Sequence, residues 1–118
     1  LDELAEEIGH YASGQISVRV ADISLIAAVM TRLRAAPPTV FGDRAVARAE
    51  DLLRPAEGGP SGDVLRYTLD DGSRVIVRPS GTEPKLKVYL DVVGDSAGDA
   101  RERLSALDAA ARAVVGAD

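Results

Sequence analysis

The sequence predicts an α+β two-layer sandwich, a mostly antiparallel sheet with helices on one face, in the order β-α-β(4)-α. Three observations carry that prediction. Gln15–Val20 and Lys85–Val92 alternate strictly between apolar and polar residues, as half-buried strands do. Asp71-Gly72 joins two strand-like runs, a strong hairpin signal. Two stretches, after Asp22 and after Asp99, repeat their apolar residues at helical spacing. With 118 residues the chain is one domain's worth, long enough to bury roughly two thirds of its unfolded surface.

Leu1, Leu4, Ala5 and Ile8 are spaced as on a helix that stops at Gly9. This opening has no cap before its first apolar residue, so residues 1–14 are expected to be the tail of a preceding element in a longer protein, and 15–118 the domain itself. In the first strand Ile16, Val18 and Val20 share one face, and Gln15, Ser17 and Arg19 the other. Asp22 stands where a helix N-cap belongs. Ile23, Ile26, Ala27, Met30 and Leu33 then form an apolar stripe that ends before Pro37 and Pro38. Residues 39–54 admit a strand or a helical turn, and strand is the expectation. Pro55–Asp63 is rich in Gly and Pro and reads as an exposed loop. Val64–Leu69 and Ser73–Arg78 form the hairpin. Asp99 with Glu102 makes a possible capping box for a last helix presenting Ala100, Leu104, Leu107, Ala111 and Val114 on one face.

Composition narrows the function. The absence of Cys excludes disulfides, thiolate metal ligands and a cysteine nucleophile, and fits a cytoplasmic protein. No apolar stretch approaches the roughly 20 residues of a membrane span, and the acidic opening is unlike a signal peptide, so a soluble protein with no membrane partner is expected. A net charge of −5 and 3% aromatic residues leave neither a basic footprint nor a stacking platform for nucleic acid. Positive charge must therefore act locally.

The run that offers this is Arg78-Pro-Ser-Gly-Thr-Glu-Pro-Lys-Leu-Lys-Val-Tyr89, which holds the chain's only lysines, Lys85 and Lys87, together with an arginine. Arg78 offers a planar fork of donors suited to phosphate, and Ser80 and Thr82 add hydroxyls on either side of Gly81. Gly81 can adopt positive φ, which lets successive backbone N–H groups converge as an anion nest. Pro79 and Pro84 stiffen the turn at both ends. Residue types alone leave this anion loop balanced against an ordinary turn whose hydroxyls satisfy nearby backbone. Glu83 would repel an anion and is read as structural, pairing with Lys85 or Arg78. Lys85 is favoured over Lys87 as a supporting cation, although exposed strand lysines also protect edges.

RPSGTEPKLKVY, arriving after an Asp-Gly hairpin, resembles the phosphate-binding loop of the C-terminal domain of α-D-phosphohexomutases. The upstream GQISVRVAD and the helix ending in LRAAPP resemble the same domain in the phosphoglucomutase/phosphomannomutase branch, and the likeness spans roughly residues 15 to 114. It implies a TATA-binding-protein-like fold and a parent isomerase, dependent on Mg²⁺, that interconverts hexose 1-phosphate and 6-phosphate through a hexose 1,6-bisphosphate. By motif match Arg78, Ser80, Gly81 and Thr82 would grip the non-reacting phosphate, with Glu83 and Lys85 in support, while the domain swings to close the cleft. The implied partners are a phosphosugar and the remaining domains of the same enzyme. The family's phosphoserine, its Mg²⁺-binding aspartates and its sugar-reading loop have no counterpart in this sequence. The chain alone is therefore expected to be inactive and to hold no metal.

Other polar residues read as structural. His10, the only imidazole, falls in the turn after the first helix with no nucleophile or carboxylate pattern around it. Asp70 and Asp71 are explained as turn residues by Gly72. Glu6-Glu7 and Glu50-Asp51 read as solvated charge. Two rival functions stand beside the mutase domain: a stand-alone phosphosugar-binding or regulatory module using the same loop, and a protein-interaction domain in which the loop is only a turn.

Overall fold

The computed structural model describes residues 10–52, 63–80 and 83–116. The elements run β1 (His10–Arg19), α1 (Ile23–Ala35), β2 (Val40–Phe41), β3 (Arg44–Asp51), β4 (Leu65–Leu69), β5 (Arg74–Pro79), β6 (Lys85–Gly94) and α2 (Ala97–Val115). They form one six-stranded sheet in the order β1-β6-β5-β4-β3-β2, in which every neighbouring pair is antiparallel. The predicted α+β class holds, with one short strand beyond the expected four between the helices. Residues 39–54 supply two strands because Gly42, at φ 65°, turns Phe41 back onto Arg44.

Alternation dictates which side of the sheet is covered. Leu86, Val88, Leu90 and Val92 of β6 point inward together with Val75 and Val77 of β5, Leu65, Tyr67 and Leu69 of β4, and Ile16 of β1. Ile26, Met30 and Leu33 of α1, and Ala100, Leu107, Ala111 and Val115 of α2, join them in a single cluster, so both helices lie on that face. The other face carries the polar half of each strand and is left uncovered by these helices.

Several boundaries differ from the sequence expectation. The first strand begins at His10 rather than Gln15, because the ten-residue β6 offers it a partner along its whole length, from His10 opposite Gly94 to Arg19 opposite Lys85. His10 and Tyr11 are therefore strand residues, not a turn. The predicted opening helix and most of the Pro55–Asp63 loop lie outside the described residues. Asp22 caps α1 by accepting the Ser24 N–H at 2.9 Å, which holds its carboxyl below the usual range. The cap of α2 is Ser96, not Asp99. Ser96 Oγ accepts the Asp99 N–H at 3.0 Å while Asp99 reaches back to the Asp95 N–H at 2.8 Å, so Asp99 is the acidic third residue of the box and Glu102 has no part in it. On α2 the expected face holds: Ala100, Leu107 and Ala111 are buried, Leu104 and Val114 pack partly buried against the same core, and Val115 joins it.

Glu50 and Asp51 are not simply solvated. Arg66 grips Glu50 with two hydrogen bonds of 2.9 and 3.1 Å, which holds the Glu50 carboxyl below its ordinary value, and Arg34 binds Asp51 at 3.0 Å. As predicted, Asp71 serves the turn: its carboxylate accepts the Ser73 N–H at 2.9 Å, and Gly72 takes φ 88°.

Tyr67 is 1% exposed, packs against Phe41 with ring centroids 5.4 Å apart, and its hydroxyl has no hydrogen-bond partner among the described residues. Burial pushes its pKa up to about 12. Between pH 10 and 12 the unfolded chain ionises this phenol while the folded chain keeps it protonated, so folding stability should fall across that window by about 2 to 3 kcal/mol. Tyr67→Phe should remove this alkaline loss and leave stability at pH 7 unchanged or raised, since it deletes an unsatisfied buried hydroxyl. Urea denaturation of both proteins at pH 7 and pH 11 measures the difference.

Candidate functional site

The candidate anion loop is the connection between β5 and β6. The Ser80 N–H donates to the Lys85 carbonyl at 2.9 Å and closes it, and the Lys85 N–H donates to the Glu83 carbonyl at 2.7 Å. Pro79 pairs with Leu86 and Arg78 with Lys87 at the ends of the two strands. Of the residues picked from sequence, Arg78, Ser80, Glu83 and Lys85 are at this end of the sheet, while Gly81 and Thr82 lie outside the described residues.

Alternation places Arg78, Lys85 and Lys87 on the uncovered face. Arg78 is exposed and Lys87 half-buried, and neither has an ion-pair or hydrogen-bond partner among the described residues. Two like charges directly opposite each other on neighbouring strands destabilise a sheet. No acidic side chain among the described residues pairs with either of them. Ser17 of β1 stands on the other side of Lys87, so a hydroxyl and two cations form one row across three strands, each about 4.8 Å from the next.

Glu83 pairs with Lys85 at 3.7 Å, as sequence reasoning suggested, and also with Arg19 at 3.6 Å. Arg19 was not singled out from sequence. Its only signal was its place on the polar face of the first strand. The antiparallel pairing of β1 with β6 brings it opposite Lys85, and the Val20 N–H donates to the Pro84 carbonyl at 2.9 Å beside it.

Elsewhere polar groups neutralise each other. A cavity of about 300 Å³ lies at the opposite end of β5, lined in part by Arg44, Asp71, Ser73, Glu102 and Arg103. Both of its arginines face the Asp71 carboxylate, at 3.6 and 3.7 Å, so its cations are already paired. Among the described residues no group of three or more His, Asp or Glu is placed to hold a metal ion, and no helix is long and apolar enough to cross a membrane.

An antiparallel sheet covered by two helices on one side, with a cation- and hydroxyl-bearing hairpin loop at one end, defines a class that comparison makes specific. Residues 16–109 match the family model described as phosphoglucomutase/phosphomannomutase, C-terminal domain, and the chain belongs to that family. Among its relatives is a probable phosphomannomutase of Haemophilus influenzae, 42% identical over 99% of this chain and 24% of that protein. A phosphoglucomutase of Staphylococcus aureus is 30% identical over 70% of this chain and 17% of that protein. The fold matches that of the Paramecium exocytosis-sensitive phosphoprotein pp63/parafusin, a phosphoglucomutase solved in an open form, with a TM-score of 0.57 at 15% identity, over 99% of this chain and 23% of that one. The chain thus spans about a quarter or less of the length of these proteins.

Proposed function

We propose that this chain is the part of a phosphohexomutase that grips the phosphate not undergoing transfer. The observation that carries the reading is the pair of cations, Arg78 and Lys87, facing each other across β5 and β6 with no acidic partner among the described residues, next to Ser80 at the mouth of the loop. Arg78 supplies a bidentate fork, Lys87 a point charge and Ser80 a hydroxyl, with Gly81 and Thr82 completing the loop by motif.

A grip on the distant phosphate adds binding energy and orientation to a reaction occurring at the other end of the sugar. The parent enzyme would interconvert hexose 1-phosphate and 6-phosphate through a hexose 1,6-bisphosphate. Its phosphoserine and Mg²⁺ would be held outside this chain, and Mg²⁺ when bound would stabilise charge at the transferring phosphoryl group. The uncovered sheet end would form one wall of a cleft, and its swing toward the other domains would exclude water from the phosphoenzyme. The family membership and the names of the relatives support this reading.

An amide NMR titration of the chain with glucose 1,6-bisphosphate, with inorganic phosphate and sulfate beside it, tests the reading. Half of a cleft should bind weakly, on the order of millimolar, about −4 kcal/mol. Shifts centred on residues 78–87 are expected. Shifts centred elsewhere, such as around Arg44 and Arg103, would overturn the assignment of the loop.

A further inference from the structure

We infer that Arg19 and Glu83 are positioning residues for the anion loop, acting through a two-sided ionic clip. The inference rests on the phosphate reading above. A carboxylate one residue past Thr82 should weaken an anion site by simple repulsion. In the structure one oxygen of that carboxylate, Oε2, lies between two cations that belong to different strands, Arg19 Nη2 of β1 at 3.6 Å and Lys85 Nζ of β6 at 3.7 Å.

The clip spans the same joint as a backbone bond. Val20 N–H donates to the Pro84 carbonyl, so the residue after Arg19 is tied to the residue after Glu83. Together the two ties fasten the downstream stem of the loop to the end of β1. The upstream stem is already fastened by Ser80 N–H on Lys85. Glu83 thereby consumes Lys85 and Arg19 and leaves Arg78 and Lys87 as the cations open to a ligand. Side chains of Arg19 and Glu83 are 62% and 50% exposed. A clip that exposed contributes little to global stability, so its effect should appear in ligand affinity and local opening rather than in the denaturation midpoint.

The sign of one substitution separates positioning from plain electrostatics. Glu83→Gln removes a negative charge beside the anion and frees two cations, so electrostatics alone predicts tighter binding. Positioning predicts weaker binding, by about two- to fivefold. The probe is inorganic phosphate, followed by amide shifts in wild type, Glu83→Gln, Arg19→Gln, the double variant, Arg19→Lys and Arg78→Ala. Under the inference Arg19→Gln weakens binding about as much as Glu83→Gln, and the double variant is no weaker than either single one, because one clip is lost once. Arg19→Lys keeps the charge and should stay within about twofold of wild type. The Val20 amide should exchange faster with solvent in both single variants at an unchanged denaturation midpoint.

Tighter or unchanged binding in Glu83→Gln, with Arg78→Ala still abolishing it, overturns the clip and leaves the phosphate loop standing. Additive losses in the double variant would make Arg19 a direct ligand and likewise overturn it. Wild-type affinity in Arg78→Ala would overturn the phosphate reading itself, and the clip with it.

Discussion

Gly94→Ala should destabilise this domain by about 2 to 4 kcal/mol, a large part of the roughly 5 to 15 kcal/mol that holds a domain folded. A Cβ on Gly94 would stand 2.5 Å from the Ala100 nitrogen and 2.8 Å from its Cα, with Asp99 Oδ2 at 3.0 Å. The two Ala100 atoms are backbone of the first turn of α2, which the Ser96 and Asp99 cap holds in place. They cannot rotate aside as a side chain can. Either α2 lifts off the end of β6 or β6 bends, and both open the core around Ala100 and Val92. Gly14→Ala is the control. Its Cβ would meet the Leu104 side chain at 3.3 Å, a flexible neighbour able to yield, and should cost less than about 1 kcal/mol. Urea denaturation of the three proteins checks the order. Equal midpoints for Gly94→Ala and wild type would mean that α2 does not sit against β6 as described.

Arg78→Ala should weaken phosphate binding by about ten- to a hundredfold, the equivalent of 1.5 to 3 kcal/mol for a charge-assisted hydrogen-bonding group. Stability should not fall with it. Arg78 is exposed, and its removal relieves the repulsion with Lys87 across the strands. Arg78→Lys should recover part of the affinity, because it restores charge but not the planar fork. In the intact parent enzyme the same change is expected to lower kcat/KM for the phosphosugar. Unchanged affinity in the isolated chain and unchanged kcat/KM in the parent would together favour the protein-interaction reading, in which the loop is only a turn.

Much of both the architecture and the candidate site was legible because the signals are local. Period-two alternation marked the strands that became β1 and β6, Asp71-Gly72 marked the β4–β5 hairpin, and the apolar stripes marked both helices. Arg78, Ser80, Gly81, Thr82 and Lys85 could be picked out because they are neighbours in the chain. Residues 39–54 were ambiguous because their short apolar stretches suit a strand or a turn, and the β-bulge between Val46 and Arg48 breaks the alternation that would have decided it. Ser96 does not stand out as the cap in the sequence because Asp99, three residues on, has the same capping chemistry.

The sequence by itself determined the alternating faces of β1 and β6, the Asp71-Gly72 turn and the two helical stripes, and it put the candidate donors for an anion in one short loop. Only the tertiary structure decided that the first strand pairs with the last. That pairing runs His10 to Gly94 and Arg19 to Lys85, and it brings Arg19 to Glu83 and Ser17 to Lys87. Alternation assigns a residue to a face of its strand but says nothing about which strand lies beside it. Strand order is selected by burying the apolar faces together under two helices, a property of the whole chain.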